Sequence, residues 1–125
     1  MSDDLNKIAE DIIKTMEKRL NEAKAKNANW GKTINIIFPD IETGYALKFA
    51  MDGSIEKIKK KPASEIKVEG DAVTSAIGNV QDLKDVIDGK YSPMDAGMAG
   101  MFKVEGDFAA LNRLMPCFPQ GGVSM

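Results

Sequence analysis

The chain has 125 residues, 43% of them hydrophobic and 29% charged, which is the size and composition of one folded domain and not of a disordered segment. Its 17 Lys and Arg against 19 Asp and Glu leave a net charge of −2. No cationic footprint exists for nucleic acid phosphates, and no nucleic-acid partner is expected. The sequence holds no histidine and one cysteine, Cys117. That removes Ser–His and Cys–His nucleophile pairs, histidine-bound metal and an internal disulfide. Cys117 is expected to be an inert small hydrophobe, for want of a nearby basic partner.

No run approaches the roughly 18 apolar residues of a membrane-spanning helix. The acidic start Ser2-Asp3-Asp4 is wrong for a secretory signal. The end Gly121-Gly122-Val123-Ser124-Met125 is not a peroxisomal address. A cytoplasmic location is expected, with residues 1–125 as one domain, a core over about 5–118 and a flexible tail over 119–125.

The first predicted element is a helix. Leu5, Ile8, Ala9, Ile12, Ile13, Met16 and Leu20 recur at helical spacing. Ser2 is its expected cap, and Asn27-Ala28-Asn29 ends the pattern. Strands follow over Lys32–Phe38 and Tyr45–Met51, where Ile34, Ile36 and Phe38, then Tyr45, Leu47, Phe49 and Met51, share a face. Asp52-Gly53 signals a tight hairpin into Ser54–Lys61. A fourth strand is read at Glu65–Glu69 and a fifth at Met101–Glu105. Asp71–Ile77 suits either a capped helix or a continued strand. Between the last two strands, Leu83, Val86 and Ile87 mark a helix that Gly89 stops. Ser92-Pro93 starts another that Gly100 closes. Phe108, Leu111 and Leu114 mark a last helix, broken by Pro116.

Ile66–Asp71 repeats as Phe102–Asp107, each hydrophobic-Lys-Val-Glu-Gly-Asp. Both copies read as strand endings, with glycine for the turn and aspartate for the next cap. That role accounts for the carboxylates Glu69/Asp71 and Glu105/Asp107 without acid–base chemistry. Gly31-Lys32-Thr33 lacks the upstream glycine of a phosphate loop, since that position is Lys26. Lys57, Lys59, Lys60 and Lys61 before Pro62 suit a protected edge strand. The alternative is contact with an anionic membrane surface or an acidic partner, for which Lys59, Lys60 and Lys61 are the candidates. Met94, Met98 and Met101 sit among Ala96, Gly97, Ala99 and Gly100, a combination of adaptable and small side chains that suits an apolar cavity as well as a core.

At this point the residues resemble the sterol carrier protein (sterol-transfer, non-specific lipid-transfer) family. Gly89-Lys90-Tyr91-Ser92-Pro93-Met94-Asp95-Ala96 looks like its Gly-Lys-x-x-Pro-x-x-Ala segment. Gly100-Met101-Phe102-Lys103-Val104-Glu105-Gly106-Asp107 looks like its Gly-x-hydrophobic-Lys-hydrophobic-x-Gly-Asp signature. The resemblance spans about residues 5–118, and Asp71–Gln81 looks longer than the family's usual connection. It implies an α+β fold, a five-stranded, mostly antiparallel sheet with helices on one face around an apolar tunnel. It also implies a carrier of a long-chain lipid (fatty acid, acyl-CoA or sterol-like) that is not an enzyme and needs no cofactor. The absent peroxisomal tail points to a freestanding microbial-type member. The expected tunnel wall is Met94 and Met98, with Phe102, Phe108, Leu111, Leu114 and Met115, set against Leu47 and Phe49. The alternative is an accessory domain of a lipid-metabolising enzyme with no ligand of its own.

Overall fold

Helix α1 (Ser2–Glu22) carries the amphipathic pattern expected of it, and Ala9, Ile12, Ile13, Met16 and Leu20 are all buried. The computed structural model describes residues 2–118, with side chains from Asp4 onward. The side chain of Ser2, the expected cap, and the 119–125 tail lie outside what is described. After α1 a 3-10 turn (Lys24–Asn27) and two left-handed residues, Asn29 and Gly31, turn the chain into the sheet.

Five strands follow: β1 (Thr33–Phe38), β2 (Thr43–Phe49), β3 (Ile55–Pro62), β4 (Ala72–Gly78) and β5 (Phe102–Gly106), in the order β3-β2-β1-β4-β5. Only β1 and β4 are parallel. The fold is therefore α+β with a mostly antiparallel sheet, as expected. Ile34 faces Leu47 and Ile36 faces Tyr45 across β1 and β2, so the alternation read from the sequence sets the register.

Three expectations are corrected. The fourth strand is Ala72–Gly78, and not Glu65–Glu69. The β1–β2–β3 meander ends at one edge, while β4 must lie on the far side of β1. Residues 63–71 are the crossover, passing over the face away from the helices. Asn35 Nδ2 donates to Lys67 O at 3.3 Å and Ile66 lies on Gly44, where any Cβ would collide with it. The stretch that looked long for the family is thus the strand itself. Gly70 is left-handed, as a turn requires, but Asp71 ion-pairs with Lys48 at 2.9 Å instead of capping a helix.

Next, the β2–β3 hairpin has a five-residue loop, Ala50 to Ser54, closed by Asp52 Oδ1 accepting from Ser54 N at 2.9 Å. Met51 is consequently outside β2 and exposed. Finally, the last helix is a 3-10 run over Phe108–Cys117 that contains Pro116 instead of stopping before it; Asp107 caps it, accepting from Ala109 N at 3.0 Å.

Helices α2 (Val80–Ile87) and α3 (Pro93–Met98) fall where the sequence placed them. Ser92 Oγ accepts from Asp95 N at 3.1 Å, Pro93 opens α3 and Gly100 is left-handed, so both expected end signals of α3 are used. The core lies between the sheet and α1, α2 and the closing 3-10 segment.

Candidate functional site

An apolar pocket of about 50 Å³ lies in this core. Ile12 and Met16 of α1 form one wall, Ile36, Ala76 and Phe102 the sheet floor, and Leu83, Val86 and Ile87 of α2 another wall. Pro93 closes it from α3, and Leu111, Leu114, Met115 and Phe118 cover it from the closing segment and its end. All thirteen lining residues are apolar. On this volume scale about 10–15 Å³ suffices for one water, so the pocket has room for only a few, and its wholly apolar lining offers them no hydrogen-bond partner.

The nine expected ligand residues divide three ways. Phe102, Leu111, Leu114 and Met115 are brought together here. Leu47 and Phe49 are fully buried, but in the core beside the pocket and outside its lining; Phe49 stacks edge-on with Trp30 at 5.3 Å. Met94, Met98 and Phe108 lie outside this lining and are 74%, 82% and 72% exposed. The reason is that α3 turns Ala96 into the core, with Pro93 half-buried, which leaves the positions of Met94 and Met98 to solvent.

The cover is tied down by polar groups that sequence reading passed over. Arg19 Nη1 donates to Ile87 O at 2.9 Å and to Cys117 O at 2.6 Å, joining α1, the C-terminal end of α2 and the closing segment. Buried Asn27 donates from Nδ2 to Arg113 O at 3.0 Å. Arg113 in turn lies 5.0 Å over the Trp30 ring, a cation–π contact. Asp40 accepts from Val80 N at 3.2 Å and caps α2 from forty residues away. Arg19, Asn27 and Asp40 each break an otherwise plain local pattern only slightly; no local signal marks their partners.

Cys117 does have a basic neighbour, contrary to expectation, yet burial pushes its thiol up to about 12 and the Arg19 guanidinium offsets only part of that. Burial likewise raises the Tyr45 phenol, and the neighbouring Lys60 ammonium offsets part of that. Among the described residues no group of three or more His, Cys, Asp or Glu is placed to hold a metal ion.

The lysine run is divided by the pleat. Lys57, Lys59 and Lys61 line a groove of about 520 Å³ on the face away from the helices, with Lys48 and Lys67 and with Glu56, Glu65, Glu69 and Asp71. Lys60 points to the helix face, 3.5 Å from Glu10 and 6.0 Å from the Tyr45 ring centre. The expected trio Lys59, Lys60 and Lys61 is therefore not one patch.

With the pocket, its cover and the sheet order in place, comparison with known proteins becomes specific. The model of the SCP-2 sterol transfer family matches residues 13–119. The chain belongs to that family. Its domain type binds or transfers lipids, and a lipid is thus the general class of partner. Comparison with curated proteins gives no match. Among solved structures, sterol carrier protein 2 has the same fold, with a TM-score of 0.58, 18% identity, and coverage of 85% of this chain and 86% of that one. An SCP2-type ubiquinone synthesis protein matches with a TM-score of 0.58, 16% identity and 88% of each chain. The stereoselective inverting sec-alkylsulfatase from Pseudomonas sp. matches with a TM-score of 0.59 and 19% identity over 80% of this chain. The SCP-2 chain covers only 14% of the length of that enzyme. Among the described residues no helix is long and apolar enough to cross a membrane.

Proposed function

We propose that this SCP-2 protein is a non-enzymatic carrier of one long-chain lipid (a fatty acid, an acyl-CoA or a sterol-like molecule), held under the closing segment Phe108–Cys117. The observation that carries the reading is the pocket: every side chain lining it is apolar, and one wall is a separate segment at the end of the described chain. A carrier needs to recognise hydrocarbon and little else. Each methylene buried is worth about 0.8 kcal/mol, so a 16-carbon chain gains roughly 12 kcal/mol before ordering and association losses.

Lipid sites are usually some hundreds of Å³, far above the 50 Å³ of this closed form. Loading therefore requires the cover to move. A 3-10 run of ten residues is suited to that, because such helices seldom exceed three or four residues and their hydrogen bonds are poorly aligned. Its polar ties to the rest of the fold are at Arg19, Asn27 and Arg113, and its apolar ones at Ala110, Leu114 and Cys117. Met16 and Met115, on opposite walls, adapt to irregular ligand shape. Catalysis is not part of the reading: the one thiol is held protonated, and no acid or base lines the pocket. A cytoplasmic location goes with it.

Lys59 and Lys61, with Lys57, are proposed to meet an acidic protein such as a lipid-metabolising enzyme. A bilayer docked on them would lie across the sheet from the pocket. The small volume of the pocket favours a second reading, an accessory domain with a filled core. Uptake of a fluorescent fatty acid by the delipidated protein separates the two. Saturation near one molecule per chain is expected, and failure of several chain lengths and an acyl-CoA to bind folded protein would sink the carrier.

A further inference from the structure

We infer that the outward face of α3 is a bilayer-docking element beside the pocket, and the inference rests on the carrier reading. The helix has six residues, and its two faces differ sharply. Inward, Ala96 is fully buried; Gly97 is exposed but sits beside the Phe102 ring, whose end would lie 3.6 Å from a Cβ there. Pro93 and that same Phe102 line the pocket. Outward, Met94 and Met98 stand one turn apart and mostly in solvent, and Tyr91, half-exposed, precedes them. The docking face is thus continuous with the pocket through one turn of helix.

The chemistry of the face selects its occupant. Two exposed methionines offer apolar area on the order of 300 Å², enough for a functional patch and well short of the roughly 800 Å² per partner of a stable protein interface. A second copy or a protein partner would find too little to bury. A bilayer needs only an apolar tip that conforms to fluid chains, which methionine supplies. Lys90 and Tyr91 lie next in the chain, a cation and an amphipathic ring of the kind that rests at headgroup level while apolar residues go deeper. Lys90 is 3.5 Å from Asp85, and Asp95 is exposed on α3. The site therefore carries no net positive charge to seek anionic lipid. Docking should be apolar in origin, suited to zwitterionic bilayers and little affected by salt. It would present the pocket to the membrane from which a lipid is drawn.

The test attaches an environment-sensitive fluorophore to the full chain at Met98→Cys, with Lys59→Cys as the comparison site; Cys117 is buried and should escape labelling. Phosphatidylcholine vesicles should shift the label at 98 to the blue, and about 0.5 M salt should not reverse it. The label at 59 should not respond. Met94→Ser combined with Met98→Ser should slow lipid transfer from these vesicles at least about fivefold, with affinity for dispersed lipid retained. No shift at 98, a shift at 59 instead, or a shift that grows with protein concentration in the absence of vesicles would each overturn the proposal. Insertion at 98 without uptake of dispersed lipid would sustain docking and remove the carrier reading alone.

Discussion

On the helix side of β1, Ile34, Ile36 and Phe38 meet the apolar core; on the other side, Thr33, Asn35 and Ile37 lie under the crossover. All six residues of the strand are buried, yet by different means. The helix side excludes water with hydrocarbon. The crossover side satisfies polar groups one at a time: Asn35 donates to Ser75 Oγ at 3.1 Å and to Lys67 O, and Thr33 N donates to Asp71 O at 2.9 Å. The comparison teaches where each kind of ligand contact can arise. The buried hydrocarbon cluster lies between the sheet and the helices, while the groove lined by charged side chains lies across the sheet from them.

The difference can be broken from the helix side first. Phe49→Ala removes a fully buried ring and its Trp30 partner contact, and should cost about 3–5 kcal/mol in urea unfolding. A loss below about 1 kcal/mol would mean that this side is loosely packed. Next in size, Arg19→Ala frees the carbonyls of Ile87 and Cys117 and should cost about 2 kcal/mol, as charged hydrogen bonds do. It should also speed Cys117 labelling by a disulfide reagent in folded protein; an unchanged rate would show that Arg19 does not hold the cover.

Alkaline pH sharpens the same point without mutation. The folded thiol of Cys117 titrates near 12, against an ordinary value of 9.0. Between these values the unfolded chain has released its proton while the folded chain keeps it, so stability falls as pH rises. The expected loss is about 1.4 kcal/mol at pH 10 relative to neutral pH. Cys117→Ala should reduce that slope, leaving the contributions of Tyr45, Lys48 and Lys84, whose raised values act in the same direction. A slope identical in the variant would contradict the burial of the thiol.

The smallest effect belongs to the crossover side. Asn35→Ala loses two long hydrogen bonds and should cost about 1 kcal/mol. Faster amide exchange should appear in residues 63–71 while α1 stays protected. Loss of protection in α1 would show that the two sides are not independent.

Residue patterns alone determined the elements whose burial is one-sided or whose ends are capped locally. α1, β1, β2 and α3 were legible because periodicity and the Ser92-Pro93 start report directly on local conformation. The family was legible in the segments around Gly89 and Gly100, where turns and caps demand particular residues. Glu65–Glu69 alternates like a strand, but the place beside β1 went to Ala72–Gly78, which pairs with both β1 and β5. A strand flanked on both sides shows little alternation, which is why that stretch was ambiguous. Tertiary structure also decided the pocket wall: four of the nine expected residues line it, and Met94 and Met98 face outward. Apolar spacing tells that a face will seek cover, and only the packing of α3 on Phe102 decides which face receives it. The partners of Arg19, Asn27 and Asp40 are main-chain atoms brought close by folding. Any residue can supply such an atom, so no sequence pattern records it.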